Sequence, residues 1–462
     1  MKICVLNLGC KVNQYEIDAI SAALDGEHEV VGELTSADIY ILNTCAVTAE
    51  AEKKSRQHIA KINKMNPNAK IVVCGCASEH NPEQFIDKPN VATVIGTAGK
   101  GGIKEIIRHI SFQTNCHLGE SSLSVIPERA QRLDAVTCWV TESPQSVLKE
   151  IPCIYEDDLF SKQTRTRGYL KVQDGCDSFC SYCLIPYIRG RSRSRPLESI
   201  KKEAEFLSKS CLEIVITGIN LSDYKVDQKP ALAELMMSLG GLNCRLRLSS
   251  LENGIITDKF LSVLQALKNF CPHFHLSLQS GSNNVLKGMN RKYTREQFLD
   301  KVRLIYKYFP DAAVTTDIIV GYPTETEEDF NQSLDLVREA GFSAVHFFAY
   351  SNREGTAAAG LPQINGTIIK QRENVLREVV REFEQKYNAG FIGKPLGVLI
   401  EEKVGGYFVG YSQNYIRCFI KVDDAIMSLQ EAQQRSNPMD ILNTIVKAAG
   451  VELFKDGLLC KV

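Results

Sequence analysis

Gly168-Tyr169-Leu170-Lys171-Val172-Gln173-Asp174-Gly175-Cys176-Asp177-Ser178-Phe179-Cys180-Ser181-Tyr182-Cys183 decides how the rest of this chain is read. Its first half alternates apolar and polar residues and predicts a strand. Its second half places three cysteines at the spacing C-x3-C-x2-C in the loop that follows. Carboxyl ends of strands are where α/β proteins build their sites. Three thiolates are one short of the four that close an iron–sulfur cluster, so one iron stays open to another ligand.

Composition sets the frame. The chain has 462 residues, 16 of them cysteine, and a formal net charge of −1. Length suggests about three domains with ample core. The balanced charge announces no global field for nucleic acid, although a local basic face is enough to bind one. No apolar run reaches the ~18 residues of a membrane span, and the apolar start Met1–Leu8 reads as a strand, not a signal peptide. Scattered cysteines in a chain this large fit a reducing cytoplasm with metal or cluster sites better than a disulfide frame.

Upstream, strands and helices alternate. Lys2–Leu8, Ile39–Leu42, Lys70–Val73 and Val91–Gly96 read as strands, and Asn13–Leu24, Ala49–Met65 and Ile103–Ile110 as helices. Such alternation implies a parallel sheet with right-handed crossovers, whose strands all end on one edge. Cys10, Cys45 and either Cys74 or Cys76 are thereby brought together as a second candidate cluster site. Cys116, Cys138 and Cys153 have no partner at ligand spacing.

Downstream, Tyr169–Gln173, Leu212–Thr217, Arg245–Ser249, His273–Gln279, Ala313–Val320 and Ala344–Tyr350 read as six strands separated by helical segments. They predict a partial (β/α)6 barrel. Polar groups fall at or near its strand ends. After an amphipathic helix at Gly366–Gly390, short strands at Leu396–Glu401, Gly406–Val409, Tyr415–Val422, Asn443–Val446 and Leu458–Val462 predict a small β-barrel. The fold class is therefore α/β, with three folded regions at 1–125, 166–388 and 389–462 and a linker at 126–165.

Eight basic residues (Lys162, Arg165, Arg167, Lys171, Arg189, Arg191, Arg193 and Arg195) crowd around the triplet, opposed by Asp174 and Asp177 alone. Arginine forks match phosphate oxygens, so Arg189, Arg191, Arg193 and Arg195 are candidate RNA contacts, with Tyr187 placed to stack on a base.

The triplet loop Gly175–Tyr187 resembles that of radical S-adenosylmethionine (SAM) enzymes. Leu8-Gly-Cys-Lys-Val-Asn-Gln-Tyr-Glu16, Asn43-Thr-Cys-Ala-Val-Thr48 and Val73-Cys-Gly-Cys-Ala77 resemble the three signatures of methylthiotransferases. The resemblance implies two [4Fe-4S] clusters, one on Cys176, Cys180 and Cys183 that binds SAM, and one on Cys10, Cys45 and Cys76. In that family SAM first donates a methyl group to sulfur on the second cluster, and cleavage of another SAM then yields a 5′-deoxyadenosyl radical. It also implies a SAM pocket built from Tyr182, Thr217, Gly218, Ser250, Glu252, Gln279, Asp317 and Arg353. Glu252-Asn253-Gly254 departs from the Glu-Pro usual in the family.

Tyr407 and Gly410–Arg417 resemble the TRAM domain, an RNA-binding module, which makes Arg417 a further candidate RNA contact. Lys11-Val12 after the first cysteine resembles the MtaB type. That type acts on N6-threonylcarbamoyladenosine at position 37, in the anticodon stem-loop of tRNA. The alternatives are the MiaB type, acting on isopentenyladenosine; the RimO type, acting on a ribosomal-protein aspartate; and, remotely, a non-catalytic iron–sulfur RNA-binding protein. Expected besides are a cytoplasmic monomer and an electron donor such as flavodoxin or ferredoxin.

Overall fold

The computed structural model describes residues 1–116, 146–147, 155–156, 160–161, 166–424 and 441–462. Cys138, Cys153 and most of the expected linker 126–165 lie outside the described residues. The chain divides into two compact units. One comprises Met1–Gln163 with Asp174–Asp177 and Cys183–Arg195; the other comprises Thr164–Gln173, Ser178–Tyr182 and Pro196–Val462.

The first unit is built on a parallel sheet. Its strands are β1 (Lys2–Asn7), β2 (Glu29–Val31), β3 (Ile39–Thr44), β4 (Lys70–Gly75), β5 (Val91–Ile95) and β6 (Ser146–Val147), in the order β2-β1-β3-β4-β5-β6. Every residue of β3 is buried, as befits a central parallel strand covered on both faces. Period-2 alternation sends Ile3, Val5, Ile41 and Val72 to a core with α1 (Lys11–Leu24) and the helix Ile103–Cys116. Leu6, Leu42, Ile71 and Val73 go to the other core, with α2 (Ala49–Met65). Thr48 caps α2 by accepting from the Ala51 N–H, and Glu50 and Glu52 in its first turn complement the helix dipole. The three predicted helices are present; β2 is an addition that its three-residue length hid from periodicity.

The second unit carries six strand positions in chain order, all paired in parallel. They are Arg167–Asp174, Glu213–Gly218, Arg245–Leu251 interrupted at Ser249, His273–Gln279, Ala313–Val320 and Ala344–Ala349. The interruption divides the third strand's partners: Arg245–Leu248 pairs with Glu213–Gly218, and Ser250–Leu251 with His273–Gln279. This is the expected partial (β/α)6 arc.

Helix Gly366–Ala389 leads into a closed five-stranded barrel of Pro395–Val404, Tyr407–Ser412, Arg417–Lys421, Gly457–Lys461 and Ile445–Phe454. Within this unit the small barrel docks near the amino-terminal ends of the arc strands. Fully buried Arg247 forks onto Glu213 at 2.7 and 2.9 Å and donates to the carbonyls of Ser412 and Gln413. Tyr415 stacks on His273 with ring centres 4.2 Å apart.

Candidate iron–sulfur sites

Cys10, Cys45 and Cys76 follow the carboxyl ends of β1, β3 and β4, which are neighbours in the sheet. Gly75 makes the last of these possible. Its φ of +105° turns the chain out of the strand, and a Cβ there would strike the Asn43 side chain and the Thr44 backbone. Cys76 opens the next helix, Cys76–His80, and packs on the α2 side of the sheet. Cys74 points into the opposite core among Ile3, Ile41 and Ile107. Cys76 and Cys74 thus lie on opposite faces of the sheet.

Burial pushes the Cys45 thiol up to about 12, and the nearby charges of Cys76 and Cys10 push it the same way. Among the described residues no three His, Cys, Asp or Glu side chains converge tightly enough to hold a single metal ion. A four-iron cubane holds its thiolates farther apart than one ion does, and the donor set here is all soft sulfur, as iron–sulfur clusters require. Hydrogen bonds to two sulfurs are already in place: the Val47 N–H on Cys45 at 3.5 Å and Arg189 Nε on Cys76 at 3.2 Å.

Arg189 has no exposed surface. Beyond Cys76 it reaches Glu16 Oε1 at 2.9 Å, Asp174 Oδ1 at 3.2 Å and Asn13 Oδ1 at 3.3 Å. The same Asn13 oxygen accepts from the Cys10 thiol at 3.2 Å. Lys100 Nζ meets Glu16 at 2.6 Å.

The arginine row is therefore not the phosphate-facing stripe expected of it. Arg195 is 1% exposed, donates to the Tyr15 hydroxyl and lies over Phe160. The Arg193 side chain bonds the carbonyls of Arg189 and Arg191 and sits 3.5 Å from Asp174. Only Arg191 of the four stands well out in solvent, pairing with Asp177 at 2.7 Å. The physical reason is long-range: Glu16 and Asp174 are buried carboxylates that demand counter-charge. Arg417 is also committed, to Asp456 at 2.8 Å and Glu402 at 3.5 Å.

In the second unit, segment Ser178–Tyr182 is pinned by its backbone. Ser181 exchanges bonds with Met289 and Ala358, and Asn290 donates to the Phe179 carbonyl at 2.9 Å. Arg291 Nη1 approaches Cys180 Sγ at 3.4 Å, while its Nη2 holds Glu252 at 2.6 Å and the Ser277 carbonyl at 2.8 Å. A cavity of about 570 Å³ opens beside Cys180, lined by Ser178, Asn220, Glu252, Asn253 and Arg291 among others.

Comparison with known proteins matches residues 170–337 to the Radical SAM superfamily and residues 2–96 to "Uncharacterized protein family UPF0004". A relative from Thermotoga maritima, "Threonylcarbamoyladenosine tRNA methylthiotransferase MtaB", is 38% identical, covering 88% of this chain and 89% of its own. The protein of that name from Bacillus subtilis is 35% identical over 90% and 89%. The chain belongs to the MtaB-type radical SAM methylthiotransferases. A "tRNA-2-methylthio-N(6)-dimethylallyladenosine synthase" from Clostridium novyi is 32% identical over 85% and 84%. Among solved structures, the cobalamin-bound radical SAM methyltransferase TsrM of Kitasatospora setae superposes with a TM-score of 0.52 at 17% identity, covering 78% of this chain and 77% of its own. That likeness concerns the fold.

Radical SAM methylthiotransferases use [4Fe-4S] clusters and SAM. Of the SAM candidates in this methylthiotransferase, Glu252 alone lines the cavity beside Cys180. Tyr182 packs against Val285, Met289 and Tyr322. Thr217 and Gly218 end their strand, and Gln279 ends its own with φ +75°. Ser250 is half-buried in the interrupted strand. Asp317 bonds His275 at 3.1 Å, and Arg353 is 5% exposed. Sequence reasoning missed Arg291 and Asn290, which lie in a loop with no spacing signal and acquire meaning only by touching the triplet segment.

Proposed function

We propose that this methylthiotransferase adds a methylthio group to C2 of N6-threonylcarbamoyladenosine at position 37 of tRNA. The observation that carries the substrate assignment is the higher identity to relatives named for that nucleoside, 38% and 35%, than to the dimethylallyladenosine synthase at 32%. Lys11-Val12 beside Cys10 agrees with it.

Cys176, Cys180 and Cys183 hold one cluster, and Cys10, Cys45 and Cys76 the other. A SAM-bound [4Fe-4S] cluster supplies a carbon-centred radical, which an unactivated C2–H bond needs because no acid–base group removes that hydrogen at neutral pH. The protein's own share is placement. Arg291 fixes Cys180 relative to Glu252, and the cavity between them gives a ligand a sheltered polar wall. Tyr182, Thr217, Gly218, Ser250, Gln279, Asp317 and Arg353 are assigned to SAM on the family resemblance, outside the lining of that cavity.

The anticodon stem-loop presents splayed bases suited to stacking, and exposed Tyr187 and Arg191 offer a ring and a cation for it. Regions 1–125, 166–388 and 389–462 serve cluster, radical and RNA roles in turn. A cytoplasmic monomer reduced by flavodoxin or ferredoxin completes the reading. Among the described residues no helix is long and apolar enough to cross a membrane.

Mass spectrometry of tRNA nucleosides from a deletion strain tests the proposal. Loss of the 2-methylthio form of threonylcarbamoyladenosine, restored by the intact gene, is expected. Loss of the isopentenyl form instead overturns the substrate assignment.

A further inference from the structure

We propose that Arg189 is a positioning residue that sets the reduction potential of the cluster held by Cys10, Cys45 and Cys76. The inference rests on the two-cluster reading. Arg189 Nε donates to Cys76 Sγ at 3.2 Å from a site with no solvent exposure. The same guanidinium also donates to Asn13 Oδ1 at 3.3 Å, an oxygen that lies 3.2 Å from Cys10 Sγ. A cationic donor on a ligand sulfur stabilises the state with the extra electron, and shielding from water makes the interaction far stronger than at a surface.

The charge is also metered. Glu16 and Asp174 each take part of the guanidinium, at 2.9 and 3.2 Å, and Lys100 neutralises Glu16 from its other side at 2.6 Å. Asp174 immediately precedes the radical-triplet loop, and Arg189 lies six residues beyond Cys183. The segment that carries the triplet therefore also delivers the tuning cation to the other cluster.

The test uses the full chain with Cys176, Cys180 and Cys183 replaced by Ala, so that a single cluster is reconstituted. Its midpoint is followed by electron paramagnetic resonance as dithionite supplies one electron. Arg189→Gln is expected to make reduction about tenfold less favourable, a downward shift of 59 mV for one electron. Arg189→Lys is expected to retain most of the parent potential. Asp174→Asn releases more of the guanidinium charge toward Cys76 and is expected to shift the midpoint upward. An unchanged midpoint in Arg189→Gln, shifts of the same sign in the Gln and Asn variants, or loss of iron from all three variants overturns the proposal, the last because Arg189 is then a scaffold only. Failure of the parent to bind iron overturns the two-cluster reading instead.

Discussion

Arg291 and Glu252 form an ion pair at 2.6 Å in which the arginine side chain is only 4% exposed. The same guanidinium touches Cys180 Sγ, and Cys180, Arg291 and Glu252 all line the cavity. Replacing Glu252 by Ala strands a buried cation and is expected to cost about 3 kcal/mol of stability, read as a lower urea midpoint of the apo-protein. Arg291→Met is expected to lower 5′-deoxyadenosine formation by about tenfold or more, as loss of partners behind metal ligands generally does. Unchanged SAM cleavage in that variant would remove Arg291 from the site.

The two cysteine sets separate by product. Changing Cys176, Cys180 and Cys183 to Ala is expected to leave about four irons per chain, one [4Fe-4S] unit, and to abolish 5′-deoxyadenosine release. Changing Cys10, Cys45 and Cys76 instead is expected to leave the same iron content and SAM cleavage, with no methylthiolated nucleoside. Identical losses in both variants contradict the division of labour.

Arg247 is fully buried, and its partner Glu213 is 1% exposed. Arg247→Met leaves that carboxylate without its fork, and a loss of about 3–5 kcal/mol is expected. Pairing the change with Glu213→Leu is expected to recover much of it, because both charges then leave the interior together. A double variant no more stable than the single in urea denaturation argues against this account.

Glu325 supplies a pH dependence. Burial pushes its carboxyl up to about 7, against the Gly321 N–H and Arg372, which favour the charged form. The unfolded chain releases this proton near the ordinary 4.5, so between there and about 7 the folded state binds more protons. Its contribution to stability is complete below 4.5 and falls as pH rises through 7. The urea-midpoint difference between wild type and Glu325→Gln is expected to change across that window; a difference independent of pH would rule the effect out.

Periodicity was enough to find the parallel sheet, the six arc strands and the small barrel, because each face of a strand or helix repeats locally. His273–Gln279 and Ala313–Val320 have the predicted bounds. Cysteine spacing singles out the triplet as a candidate, since its members are neighbours in the chain. It also narrowed the second set to strand ends, because a parallel sheet brings those ends to one edge.

What the tertiary structure alone decided is who answers whom across long gaps. Gly75, by turning at +105°, separates Cys76 from Cys74. Glu16, 173 residues from Arg189, draws that arginine into the interior and away from the RNA role its neighbours suggested. Arg291 comes to Cys180 from 111 residues away. Local pattern records which side chains want burial or charge. Compensation of a buried charge is a pairwise, long-range requirement, and only the folded chain specifies the partner.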